Sequence, residues 1–184
     1  LPRWAGELYL ELHRGTLTSQ ARNKKYNRKS ECLYHDIETL SAIAKKETGF
    51  TYPKERLLEN WKLILLNQFH DIIPGSSIRS VYERCDEDYK RIIGSATELE
   101  SRAYKSLLAD IGTNGGVAVF NQNSFESNGY VNYNGKTYRV NGIPAKGYKV
   151  VDFSDADPVV YVQEDKYLET SNYIVEFNDE YVIT

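Results

Sequence analysis

The stretch SIRSVYERCDEDYKRIIGSATELESRAYKSLLADI, residues 77–111, decides the fold. Its residues Ile78, Tyr82, Cys85, Tyr89, Ile92, Ala96, Leu99, Ala103 and Leu107 recur in steps of four and three. That spacing keeps one stripe on a single side of an α-helix. At its usual rise per residue such a helix is a rod of about 50 Å. The rod needs partners to cover its stripe, and two shorter helical patterns precede it. Over residues 30–48, Leu33, Ile37, Leu40 and Ala44 trace one face. Lys45 and Lys46 fill that helix's last turn, and Gly49 follows as a left-handed cap. The next helix carries Pro53 near its first turn, where the missing N–H costs nothing. It presents Leu57, Trp61, Ile64, Leu65 and Gln68 inward and stops by Pro74 and Gly75. Short connections predict that consecutive helices pack antiparallel at a shallow angle. Residues 30–112 are therefore expected to form an antiparallel three-helix bundle.

Beyond Gly112 the period changes to two. Val117 and Val119 alternate toward a turn rich in Asn and Ser, and Asn134-Gly135 separates residues 130–133 from 136–140. An Asn-Gly pair between alternating segments is the strongest short hairpin signal. Further strands are expected near 147–153, 159–163, 172–178 and 181–184. Residues 113–184 thus read as the first strands of an antiparallel β-sandwich. The fold class is α+β: a multidomain fragment with an antiparallel three-helix bundle followed by part of an antiparallel β-sandwich. Upstream, Leu8, Leu10 and Leu12 alternate with Glu7, Tyr9 and Glu11, which predicts a short strand with one apolar face.

Composition narrows the class of function. The chain has 184 residues, 41% hydrophobic and 27% charged, as in an ordinary globular protein. A net charge of −3 argues against a nucleic-acid binder that works by phosphate neutralisation. No apolar run approaches the ~20 residues of a membrane span, so no membrane partner is expected. Cys32 and Cys85 fall at apolar or boundary helical positions and read as buried free thiols, which fits a cytoplasmic setting. Methionine is absent and residues 181–184 read as a strand cut in mid-course. The chain is therefore expected to be a piece of a longer polypeptide.

Candidate site residues are few. His70 and Asp71 sit side by side where the second helix runs into the Pro-Gly break. An imidazole and a carboxylate can ligate a metal and accept from a substrate hydroxyl. On spacing alone, a helix-end histidine bonded locally beside a capping aspartate is the more economical account, because zinc takes three or four protein ligands. His13 with Glu7 and Glu11 forms a second cluster. The two glutamates lie about 13 Å apart by strand rise, too far for a retaining carboxylate pair, and a polar strand face is favoured. His35 reads as a surface or boundary residue. The basic run 22–29 reads as a solvated face, with Arg28 available for a carboxylate.

Three separated stretches together resemble glycoside hydrolase family 38, the retaining α-mannosidases. They are WAGELYLELHRGT at 4–16 with its Thr18-Ser19-Gln20 tail, NRKSE at 27–31, and LNQFHDIIPGSS at 66–77. The wording is closer to the bacterial and cytosolic-type branch than to the Golgi enzymes. The resemblance implies that residues 1–29 end a catalytic barrel, 30–112 form a middle domain and 113–184 begin a β-sandwich. It implies that His70 is one ligand of a Zn²⁺ ion and that Asp71 contacts sugar hydroxyls. The remaining ligands, the nucleophile and the general acid have no counterpart in this chain, so no catalytic residue is expected in it. The expected partners are an α-mannoside and the rest of the same polypeptide, and a homo-oligomer is compatible with this. The alternative is a non-catalytic carbohydrate-binding or scaffold module.

Overall fold

The structure, a computed structural model, describes residues 2, 3, 5, 6, 14–160 and 162–183, without the side chains of Val162 and Gln163. The strand expected over residues 7–13 lies outside the described residues, as does the cluster of Glu7, Glu11 and His13. The chain divides into two units, Leu1–Gly112 and Thr113–Thr184.

The first unit holds α1 (Ala21–Thr48), α2 (Lys54–Asn67) and α3 (Arg79–Ile111). Gly49 closes α1 at φ 74° with its N–H on Lys45 O, and Lys45 and Lys46 lie in the last turn. Contacts between α1 and α3 climb together: Arg22 meets Asp86, Tyr34 Oη donates to Ile92 O, and Thr48 meets Ser106. Contacts to α2 run the other way, with Trp61 on Glu38, Gln68 on Glu31, Arg56 on Glu98 and Asn67 on Asp88. The bundle is therefore up-down-up: α2 is antiparallel to both neighbours, and α1 and α3 are parallel. Tyr34, Ile37, Leu57, Ile64, Tyr82, Cys85, Tyr89, Ile92, Ala96 and Leu99 fill the core.

Several sequence expectations are corrected. The first helix begins at Ala21, not near residue 30, so the basic run 22–29 is helical. Its inward positions there include Asn23, Asn27 and Ser30, and a polar stripe gives no hydrophobic period to read. Leu65 is 59% exposed, because α2 buries Leu57, Asn60, Ile64 and Asn67 on a different arc. Ile78 precedes the first turn of α3 and is exposed. Cys32 is exposed while Cys85 is buried. Among the described residues no helix is long and apolar enough to cross a membrane.

Among the described residues the second unit holds seven short strands: β1 (Val117–Phe120), β2 (Ser127–Tyr133), β3 (Lys136–Ile143), β4 (Tyr148–Val151), β5 (Val162–Glu164), β6 (Tyr167–Glu169) and β7 (Ile174–Glu176). All pairings are antiparallel: β1 with β4, β2 with β3, and β5-β6-β7 in one sheet. The hairpin β2-β3 turns at Asn134 (φ 50°) and Gly135 (φ 75°), as its dipeptide predicts. Tyr138, Val140, Ile143 and Phe153 form the core, with Val117, Val119, Val131 and Val151 packed against it. Two strand pairs thus share one apolar interior. Strand β6 was not expected from the periodicity, and the expected strand at 181–184 is represented by a single bridge from Phe177 to Ile183.

Candidate metal and substrate site

Helix α2 ends at Asn67, and residues 70–74 form a turn before α3. That turn carries His70 and Asp71, and its backbone is held from several sides. Ile72 and Ile73 N–H donate to Phe69 O at 2.8 and 3.0 Å, and Gly75 N–H donates to Ile72 O at 3.1 Å. Ser77 Oγ donates to Asp71 O at 2.6 Å. Tyr82 Oη donates to Ile72 O at 3.1 Å and accepts from Ser77 N–H at 3.0 Å. Tyr82 itself is buried in the bundle core, so the turn is tied to the packed interior of α3.

Two further ties come from α1 and the turn that precedes it. Lys24 Nζ donates to Ile73 O at 2.7 Å and also to Ser19 O. Burial lowers the Lys24 pKa, yet its carbonyl partners suit a cation. Gly75 lies at φ 93°, and a Cβ there would meet Ser19 Cβ at 2.5 Å and Ser19 O at 2.9 Å. Only glycine lets the two segments approach so closely without strain. Just ahead of the turn, Gln68 Nε2 donates to Asn27 Oδ1 at 3.1 Å and Glu31 Oε1 at 2.9 Å. Asn27 Nδ2 also donates to Glu31 Oε1 at 3.2 Å, and Arg28 pairs with Glu31 at 3.3 Å.

The described parts of the three sequence stretches therefore converge. Ser19 lies against Gly75, Asn27 and Glu31 hold Gln68, and residues 66–77 carry the candidate pair. Lys24 and Tyr82 complete the arrangement, and sequence reading missed both. A lysine in a basic run and a tyrosine on an apolar stripe each look ordinary until their distant partners are known.

The pair differs from its support in exposure. The side chains of His70 and Asp71 are 76% and 56% exposed, with Nε2 and Oδ2 3.4 Å apart. The Phe69 ring stands 4.2 Å from the imidazole, centroid to centroid. A fixed backbone thus presents an imidazole nitrogen and a carboxylate outward. These donors suit zinc, which takes His nitrogen and carboxylate oxygen. Among the described residues no group of three or more His, Cys, Asp or Glu side chains gathers in metal-binding geometry. His70 offers one nitrogen of the kind a zinc ion takes, and Asp71 beside it offers an acceptor for a hydroxyl. His35 lies on the exposed side of α1 with Nδ1 3.2 Å from Asp36 Oδ1.

An up-down-up bundle with this pinned turn and a following β-rich unit defines a class of protein, and comparison with known proteins identifies it. The family model of the alpha mannosidase middle domain matches residues 11–107. The chain belongs to the family 38 α-mannosidases. It is 45% identical over 107 residues to Alpha-mannosidase 2C1 of Homo sapiens, covering 58% of this chain and 10% of that protein. It is 48% identical over 85 residues to Alpha-mannosidase of Saccharomyces cerevisiae, covering 45% of this chain and 8% of that protein. The crystal structure of an alpha-mannosidase from Enterococcus faecalis V583 shares the fold, with a TM-score of 0.59 at 24% identity over 65% of this chain and 14% of that one. The chain spans about a tenth of the length of the curated relatives it matches.

Proposed function

We propose that this chain serves within a longer polypeptide as the middle portion of a zinc-dependent, retaining α-mannosidase acting on terminal α-mannosides. His70 is one ligand of the zinc ion, and Asp71 accepts hydrogen bonds from hydroxyls of the bound sugar. The observation that carries this proposal is the pair itself: two exposed side chains on a turn whose backbone carbonyls accept from Lys24 of α1 and Tyr82 of α3.

The bound ion supplies a Lewis acid that can hold vicinal sugar hydroxyls and help the ring distort toward an oxocarbenium-like transition state. The protein's part is orientation. A neutral imidazole contributes nitrogen without added charge, and an acceptor for its other ring nitrogen fixes the tautomer. Asp71 carries charge, so its bonds to hydroxyls are stronger than neutral ones and strengthen as water is excluded. The nucleophile and general acid belong to other parts of the polypeptide, and this chain by itself is inert toward mannosides. Two free thiols fit a reducing, cytoplasmic setting.

The test is His70→Ala in the longer polypeptide, with zinc measured by elemental analysis and activity on an aryl α-mannoside. Loss of both supports the proposal. Retention of a full zinc equivalent and of activity sinks it and favours the non-catalytic module. Asp71→Asn should leave zinc bound while weakening turnover.

A further inference from the structure

Four Asn-Gly pairs lie in the β unit, at residues 114–115, 128–129, 134–135 and 141–142. Such a pair is chemically labile, because the glycine nitrogen can attack the asparagine side-chain carbonyl and no Cβ hinders its approach. A bond forms between that nitrogen and Cγ, the nitrogen gives up its proton, and the side-chain amide leaves as ammonia. The five-membered imide then adds water at either carbonyl and opens to aspartate or isoaspartate. Water is the one co-reactant, and nothing is oxidised or reduced. The step needs a glycine N–H without an acceptor and a side-chain amide able to swing back onto the main chain.

The fold treats the four pairs differently. Asn114 and Gly115 are the exposed centre of a turn closed by Gly116 N–H on Thr113 O at 2.8 Å. Asn134 and Gly135 are the exposed centre of the β2-β3 hairpin, beyond the paired Tyr133 and Lys136. All four residues have positive φ, the geometry in which the residue after the glycine closes the turn. Among the described residues, neither asparagine side chain and neither glycine N–H has a hydrogen-bond partner. The other two pairs lock each other. Gly142 N–H donates to Asn128 Oδ1 at 2.9 Å. That one bond occupies the nitrogen that would attack Asn141 and holds the Asn128 side chain away from its own glycine. Gly129 is also paired with Val140 in the ladder, and Lys149 Nζ holds Asn141 O at 2.8 Å. We infer that Asn114 and Asn134 are sites of spontaneous deamidation and isoaspartate formation, and that Asn128 and Asn141 are protected from it. Each conversion adds one negative charge. Isoaspartate also lengthens the main chain by a methylene, in the turn that leads into β1 or in the hairpin that sets the β2-β3 register. None of this depends on a metal or sugar role for His70 and Asp71.

Ageing the longer polypeptide in mildly alkaline buffer tests this, native and unfolded in urea side by side. Peptide mass spectrometry follows amide-to-acid conversion at each asparagine, and methyl transfer by an isoaspartyl methyltransferase identifies isoaspartate. In the native protein Asn114 and Asn134 should convert roughly fivefold or more faster than Asn128 and Asn141, whose hydrogen bonds must open first. In urea all four should convert at similar rates. Four equal native rates overturn the inference, and so does survival of native Asn114 and Asn134 while the unfolded chain converts. Asn128→Ala removes the acceptor of Gly142 N–H and should speed conversion at Asn141 several-fold, with Asn114 unchanged. An Asn141 rate that stays at the wild-type value in a variant shown to be folded by its thermal melt overturns the protective bond. If that variant does not fold, the wild-type comparison decides.

Discussion

Gln68 donates from one amide nitrogen to both Asn27 and Glu31, at 3.1 and 2.9 Å, two residues before His70. This contact joins the end of α2 to α1 and sets the direction in which the chain leaves the helix. Tyr89 Oη also reaches Asn27 Oδ1 at 3.4 Å, so the three helices meet at one polar node. Replacing Gln68 with Ala removes two bonds, one to a carboxylate, and should lower stability by about 1–3 kcal/mol. If the turn serves a metal, zinc affinity of the longer polypeptide should fall roughly tenfold or more, as for other groups that orient ligands. Urea denaturation and a competitive chelator titration measure the two effects.

The glycines of the bundle should respond oppositely to the same substitution. Gly75 combines φ 93° with a Cβ position 2.5 Å from Ser19, so Gly75→Ala should destabilise by more than about 1 kcal/mol. Gly94 lies inside α3 with open space around its Cβ position, and Gly94→Ala should stabilise by up to about 1 kcal/mol. Thermal melts of the two variants side by side decide this. Equal shifts in one direction would contradict the geometry.

Glu100 on α3 should make the bundle more stable in mild acid. Its pKa is raised above the ordinary 4.5, first by burial and then by repulsion from Asp36 on α1. A carboxyl whose folded pKa exceeds its unfolded value carries a charge penalty at neutral pH. That penalty is relieved as pH falls through the folded pKa and is gone below the unfolded one. Glu100→Gln should therefore raise stability at pH 7 and leave little difference near pH 4. Denaturant midpoints of wild type and variant across that range test the sign.

Asn121 anchors the β unit independently of the bundle. It is 6% exposed, donates from Nδ2 to Phe125 O and Ile143 O at 2.8 and 3.0 Å, and accepts from Asn123 N–H at 2.9 Å. Asn121→Ala leaves the buried Ile143 carbonyl without its donor, removes two further bonds, and should cost about 1–3 kcal/mol. Hydrogen exchange should show the loss in β1 to β4, with the amides of α3 unchanged.

Much of this was legible in local pattern. The steps of four and three along α3 predict its buried residues from Tyr82 to Leu107, because a helix repeats its face every 3.6 residues. Asn134-Gly135 predicts its hairpin because both residues tolerate positive φ. Gly49 predicts the end of α1 for the same reason. Where buried positions are polar, as at Asn23 and Ser30, the pattern falls silent and the first turns of α1 go unread.

By itself the sequence determined the helices, the Asn-Gly hairpin and the residue types of the candidate pair, since each depends on neighbours a few positions away. Tertiary structure alone decided that Leu65 faces outward, that β1 pairs with β4, and that Lys24, Gln68 and Tyr82 hold the turn bearing His70. Those outcomes depend on groups tens of residues apart meeting in a packed interior, where hydrogen-bond partners and exposed arcs are assigned by the whole arrangement and not by local spacing.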